Sequence, residues 1–322
     1  METRKIQKVG GSTFTVSIPK EWAREHGLET GEMVRLYTHR DGSLIVRGRQ
    51  VDGERLETVS ISVGESSVDT IDRSIQGAYE AGFERITLHA EQVVTDEQRR
   101  AARKVARQFV GTEVIDASPK QIVVRAMLDA SAVSIHQSID QTVTAISAMQ
   151  GTVCERLRGG DGTSGQVTDR LTDVTRLVAL VRRHYNRSLV TFEELDALGI
   201  DRVALSQYYR VADRLEGIAT ATVRLNETID DVSLSAERAG TVADRLTTLT
   251  AAVTEATRHL LEGSATASIE SPSTALEQTA ETALDGDSVD PSLARSFDHL
   301  RRIEDAVRAI ERIGLQSSAS AR

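Results

Sequence analysis

The sequence predicts a multidomain chain made of three consecutive classes: a mainly-β N-terminal part, a small α/β part and a C-terminal all-α bundle. Three observations carry this. Phe14, Val16 and Ile18 alternate with Thr13, Thr15 and Ser17, the period of a half-buried strand. Between about 56 and 130, strand-like runs alternate with helix-like ones. Beyond that, apolar residues recur every three or four positions, as in Val242, Leu246, Leu249, Val253, Ala256 and Leu260. The boundaries fall at 1–50, 51–130 and 131–315, with 316–322 left as a flexible tail.

In the first part, the alternating run ends at Pro19, which suits the first position of a short helix to His26, and Gly27 stops that helix. Thr30-Gly31 marks a turn before a strand over Met33–Thr38, and Asp41-Gly42 joins that strand to the next as a hairpin. So short a β segment buries little core alone, and dimerisation is the expected remedy. In the second part, Val59, Ile61 and Val63 read as a strand. Val68, Ile71, Ile75, Ala78 and Gly82 then recur at helical spacing. Ile86 and Leu88 give a second strand, and Thr95 to Gln98 a capping box for a second helix. Strands at Val114-Ile115 and Ile122–Val124 close this part.

The third part reads as six helices in two sets of three, about 131–228 and 229–314. Its stripes are Ile135, Ile139, Ile146, Val153 and Leu157; Val167, Leu171, Val174, Val178, Val181 and Tyr185; Leu205, Tyr208, Ala212, Leu215, Ala219 and Thr222; and Leu293, Phe297, Leu300, Val307 and Ile310. Ser271-Pro272 and Asp290-Pro291 read as N-cap and first-turn pairs, and Thr191 to Glu194 as a capping box. The glycine-rich run at 158–166 is a linker.

Charge divides the chain in the same place. The first fifty residues hold nine Lys and Arg against six Asp and Glu, so the net of −9 comes wholly from the remainder. A basic N-terminal part on an acidic body points to an anionic partner for that part alone. Lysine is scarce: Lys5, Lys8, Lys20, Lys104 and Lys120 are the only five. Acidity, scarce lysine and 3% aromatics fit a high-salt cytoplasm. No apolar run approaches the roughly 20 residues of a membrane span, and the opening METRKIQK has no apolar signal core, so a soluble cytoplasmic protein is expected.

The run KVGGSTFTVSIPKEW at 8–22 resembles the AbrB/MazE/SpoVT swapped-hairpin family over about residues 3–48. The resemblance implies two chains interlocked into one barrel, with basic residues on the first strand and nearby loops meeting DNA. The matching positions are Arg4, Lys5 and Lys8, with Lys20 and Arg24 on the helix. Some relatives carry arginine just before the Ile-Pro step; here that position is Ser17, which removes a base-reading side chain.

The helical part resembles the PhoU family of phosphate-uptake regulators through YYRVADRLEGIATAT at 208–222 and FDHLRRIEDAVRAI at 297–310. Together the two resemblances are to an archaeal PhoU-like phosphate uptake regulator with a swapped-hairpin domain at its N-terminus. The second implies two three-helix repeats and, on the third helix of each, a Glu-x-x-x-Asp pair for a cation cluster. Here Glu216 keeps one acid but its partner position is Thr220, and Asp305 keeps the other opposite Arg301. An arginine at a cation site is electrostatically hostile, and Arg301 with Asp305 reads better as a surface ion pair. Glu216 and Asp305 are the only metal candidates.

No catalytic constellation is visible. None of the seven histidines has a Glu three residues before it, Glu255 and His259 read as surface decoration, and Cys154 sits on an apolar stripe as a small buried hydrophobe. The 158–166 run lacks the Gly-Lys-Ser/Thr of a phosphate loop. The expectation is a cofactor-free, non-enzymatic homodimer that binds DNA and regulates phosphate uptake. The bundle docks a partner that the resemblance implies to be a phosphate-transporter ATPase or a signalling kinase. A non-DNA-binding adaptor, and metal chemistry at Glu216 and Asp305, are the alternatives. Salt bears on the choice: near molar salt the Debye length is about 3 Å, and phosphate contacts alone then yield little affinity.

Overall fold

The computed structural model describes residues 3–11, 13–38, 42–47, 54–64, 67–91, 93–191, 193–231, 234–264 and 291–320. The chain divides into two compact units, Met1–Asp52 and Gly53–Arg322. The expected α/β and helical parts therefore belong to one unit.

The first unit holds two antiparallel hairpins, β1 (Gln7–Val9) with β2 (Thr13–Thr15) and β3 (Arg35–Thr38) with β4 (Leu44–Arg47), and a helix α1 (Lys20–Glu25). The strands are shorter than the alternation predicts, since β2 stops at Thr15 and β3 starts at Arg35. Pro19 is the N-cap of α1 and not its first residue, with φ −58° and ψ 129°, and Gly27 ends the helix at φ +64°. Thr38 pairs with Leu44 as the hairpin signal requires; Asp41 of that turn lies outside the described residues. No described residue of this unit is buried.

In the second unit, a short helix α2 (Glu54–Glu57), not expected from the sequence, leads into β5 (Thr58–Ser62). Then come α3 (Val68–Ala81), β6 (Arg85–His89), α4 (Asp96–Ala106), β7 (Thr112–Ser118) and β8 (Gln121–Ala126). The sheet order is β5-β6-β8-β7. β5 and β6 are parallel, joined by α3 as the crossover, while β8 is antiparallel to both β6 and β7. Ser67 caps α3, and Gly82 ends it in the left-handed region at φ +103°. Thr95 and Gln98 form the expected capping box. Ile71, Ile75, Tyr79, Ile86, Leu88, Ala102, Val105, Ile122 and Val124 make the core of this layer.

Helices α5 (Ile135–Leu157), α6 (Ser164–Ser188), α7 (Glu193–Leu198), α8 (Arg202–Asp231), α9 (Ala236–Glu262) and α10 (Pro291–Ser320) follow. Their apolar stripes meet in one core containing Ile139, Ile146, Val153, Val178, Leu215, Leu246, Leu249, Leu300 and Ile310. The expected Ser271-Pro272 start, the Asp290 cap and the helix between them lie outside the described residues. α10 continues through Ser320, past 316 where the tail is expected to begin; no proline intervenes there to stop it.

The α/β layer and the helices are joined by α6. Leu177, Val178, Ala179, Leu180 and Val181 are all buried, so this helix is covered on more than one side, and Ala179 packs in the α/β core. One turn on, α6 supplies donors to the C-terminal carbonyls of α3. Arg183 Nη1 donates to Tyr79 O at 3.0 Å and Phe83 O at 2.9 Å. Asn186 Nδ2 donates to Glu80 O at 2.8 Å and Arg187 Nη1 to Gly82 O at 2.9 Å. Helix ends leave carbonyls without partners, and positive charge is favoured there. Arg183 is only 2% exposed, its guanidinium lies 4.9 Å from the Tyr79 ring centre, and burial pulls its pKa down to about 10, still charged at neutral pH.

Glu194 completes the junction, accepting from Arg187 Nε at 2.9 Å and lying 2.5 Å from His184 Nδ1. The capping box expected of Thr191 and Glu194 is not formed. Thr191 bonds Arg187 O through both its N–H and its hydroxyl, and His184 and Arg187 of α6 take the Glu194 carboxylate. Burial works to raise its pKa, but the His184 hydrogen bond and the Arg187 guanidinium outweigh that and hold it below the usual carboxylate range.

Two outcomes follow. Arg183→Met takes the donor from Phe83 O and leaves Tyr79 O only the Gly82 N–H; it destabilises the second unit by about 1–3 kcal/mol, read from urea unfolding followed by circular dichroism. The Glu194 carboxylate stabilises the fold above its unfolded pKa, and this stability is lost as pH falls through the lower folded pKa. The stability gap between wild type and Glu194→Gln therefore narrows as pH drops below about 4.5.

Candidate nucleic-acid interface and candidate cation positions

All five basic positions expected to meet DNA are exposed. Arg4 and Lys5 precede β1, Lys8 is in its middle, Lys20 opens α1 and Arg24 lies in its last turn. The β1–β2 register sorts them by face. Lys8 stands opposite Phe14, whereas Gln7 stands opposite Thr15 and Val9 opposite Thr13. Lys8 thus shares a side with Phe14, which is 71% exposed, and its aliphatic stem can cover that ring while the ammonium stays in water. Arg4 and Lys5 precede β1 and lie outside this pairing. The lysines singled out together from the sequence are therefore not equivalent.

The apolar side chains of this unit have nowhere to go within it. Ile6, Phe14, Val16, Ile18, Leu36 and Leu44 are exposed, and Met33 is 93% exposed. Trp22 stacks on His26 at 4.7 Å between ring centres, and His26 Nδ1 lies 2.8 Å from Trp22 O. Ser17 is exposed and brings no charge to the Ile-Pro step.

Glu216 and Asp305, on α8 and α10, line one cleft. The structure brings them to the same place but does not make a cation site of it. Arg182 Nη2 donates to Glu216 Oε2 at 2.7 Å and to Asp213 Oδ1 at 2.8 Å. The ion pair expected between Arg301 and Asp305 is not formed; the pairs on this helix are Arg302 with Asp298 at 3.0 Å and Arg308 with Glu304 at 2.6 Å. Thr220 turns its hydroxyl back to Glu216 O. Among the described residues no group of three or more His, Cys, Asp or Glu side chains is placed to hold a metal ion. The fit fails on chemistry as well, because four arginines share the cleft.

Cys154 is buried, its Sγ 3.4 Å from Ala243 O and 3.6 Å from the Thr247 hydroxyl, and burial pushes the thiol pKa up. It is the small hydrophobe expected of its stripe. His259 pairs with Glu255 at 2.6 Å at the surface. The sequence reading missed Arg183, His184 and Glu194. Their signal is the unbroken apolar run Leu177–Val181 followed by RRHYNR, which departs from a one-sided stripe.

Residues 7–50 match the family described as antidote-toxin recognition MazE, bacterial antitoxin. The first unit thus carries a MazE/AbrB-like domain, and domains of this type typically dimerise and bind DNA. No curated protein matches the chain, and no solved structure does. Among the described residues, no helix is long and apolar enough to cross a membrane.

Trp22 is the only tryptophan, so its emission reports the first unit alone. If a second copy covers the exposed apolar side chains, the urea midpoint read from Trp22 rises with protein concentration. The midpoint read from far-ultraviolet circular dichroism, dominated by the helices, moves less.

Proposed function

We propose that the protein is a dimeric DNA-binding regulator of phosphate uptake or metabolism. Residues 1–50 dimerise as a swapped-hairpin barrel and bind DNA, 51–130 form an α/β spacer, and the helices from 131 form two three-helix repeats that dock a phosphate-signalling protein. One observation carries the reading: in a unit with a MazE/AbrB-like match no described residue is buried, while large apolar side chains and basic ones are both exposed. A second copy supplies the missing core, which leaves Arg4, Lys5, Lys20 and Arg24 as paired cations for phosphates. The phosphate connection rests on the resemblance at 208–222 and 297–310. Support for the bundle as a docking element is its shared core of long amphipathic helices.

Coupling between the parts requires that the partner's binding change DNA affinity, and DNA the partner's, by the same factor. A phosphate-transporter ATPase and a signalling kinase are the two partner classes consistent with the resemblance.

Fluorescence anisotropy on promoter fragments, run from low to near-molar salt, tests the DNA assignment. Arg4→Glu with Lys5→Glu abolishes binding while sedimentation shows an unchanged dimer. Lys8→Glu, on the Phe14 side, weakens the dimer as well. Absence of binding at every salt concentration reduces the first unit to a dimerisation module and leaves a contact-based adaptor.

A further inference from the structure

A cleft of about 770 Å³ lies between α8 and α10. It exists because Gly217, Ala221, Ala306 and Ala309 line it with small groups where the helices face each other. Arg214 and Arg224 line it from α8, and Arg302 and Arg312 from α10.

Three carboxylates share the lining: Asp213, Glu216 and Asp305. The first two are already engaged by Arg182, which is not part of it. That leaves Asp305 against four guanidinium groups. Arg224 is paired with Glu227 at 3.1 Å and Arg302 with Asp298 at 3.0 Å, each along its own helix and at the surface. Exposed pairs of this kind contribute little and exchange readily. Arg214 and Arg312 have no ion pair among the described residues. Counted with their partners the charges balance, and the groups left without an ion pair are Arg214 and Arg312 against Asp305, one positive charge in excess.

His299 lines the same space, and its Nδ1 is enclosed without a hydrogen-bond partner. The charged groups around it are Asp298 and Arg302 of α10 with Arg224 and Glu227 of α8. Burial lowers its pKa most; Asp298 and Glu227 act in the opposite direction, and the two arginines add to the lowering. The imidazole is held neutral by surroundings that an anion would reverse.

We propose that this cleft binds a phosphate group, either as the free ion or as a phosphate monoester. Arg224 and Arg302 hold it with His299 beside them, and Arg214 and Arg312 add positive field along the same two helices. Guanidinium forks match tetrahedral oxyanions bidentately, and an anion offsets the unpaired positive charge that a divalent cation would add to. The site names what the bundle takes up, and it stands whether or not the first unit binds DNA.

The test is isothermal titration calorimetry on the full chain with inorganic phosphate, with glycerol 3-phosphate, with manganese and with a short DNA duplex. Either phosphate compound binds, and the double variant Arg224→Ala with Arg302→Ala weakens it by about tenfold or more. Arg258→Ala, on the exposed side of α9, does not. Both variants alter exposed side chains, and circular dichroism confirms that the fold is kept. The tighter of the two ligands tells whether the phosphate arrives free or esterified. Because the ligand itself gains a proton between about pH 8 and about pH 6, His299 is read from the difference between proteins: over that range affinity falls less steeply in the wild type than in His299→Gln, as the anion draws a proton onto the imidazole. Failure of both phosphate compounds to bind overturns the proposal, as does binding that the double variant leaves unchanged. So does manganese binding that Glu216→Gln with Asp305→Asn abolishes, or duplex binding alone that is lost in the double variant.

Discussion

The second unit is organised around an end of a helix that is not allowed to see water. The α3 helix closes at Gly82 and its last carbonyls face α6. Each buried carbonyl left unbonded costs about 1–3 kcal/mol, so the packing is possible only if donors arrive with it. Arg183, Asn186 and Arg187 bring them, and Glu194 and His184 hold Arg187 and the start of α7 in place. Arginine suits this task because one planar fork can serve two carbonyls and stack on Tyr79 at the same time. Once α6 is committed to α3, its remaining faces are left for α5 and α8, and the helical core is built from there.

The first unit obeys the opposite logic. None of its described residues is buried and several large apolar side chains are exposed, so its stability depends on association more than on its own contacts. The same short strands that leave it without a core also leave its basic side chains in water. Basic charge and missing core thus occur in one small segment, and a single event, pairing of two copies, would settle both.

The stripes on α5, α6, α8, α9 and α10 could be read directly, because a 3.5-residue period is local and the core takes the residues it names. The capping box of α4 was equally legible, since the Thr95–Gln98 pair acts within one turn of itself. What could not be read was long-range. Glu194 satisfies the pattern of a capping box, and only the arrival of His184 and Arg187 redirects it. Glu216 and Asp305 were named on separate helices for separate cation sites; that they share a cleft, and share it with arginines, depends on the antiparallel packing of α8 on α10. The β register likewise sets Lys8 opposite Phe14, a placement that charge counting cannot make.

Gly82 carries one more implication. A Cβ placed there would come within 2.6 Å of Arg187 Cγ, across 105 positions of chain, and its backbone sits at φ +103°. The vacancy at one position is filled by the side chain of the other, and that side chain also bonds the Gly82 carbonyl. Inheritance should therefore treat the two as a single character. Homologous chains that keep this junction should retain glycine and arginine together, and those that lose one should have rebuilt the whole seam between sheet and bundle.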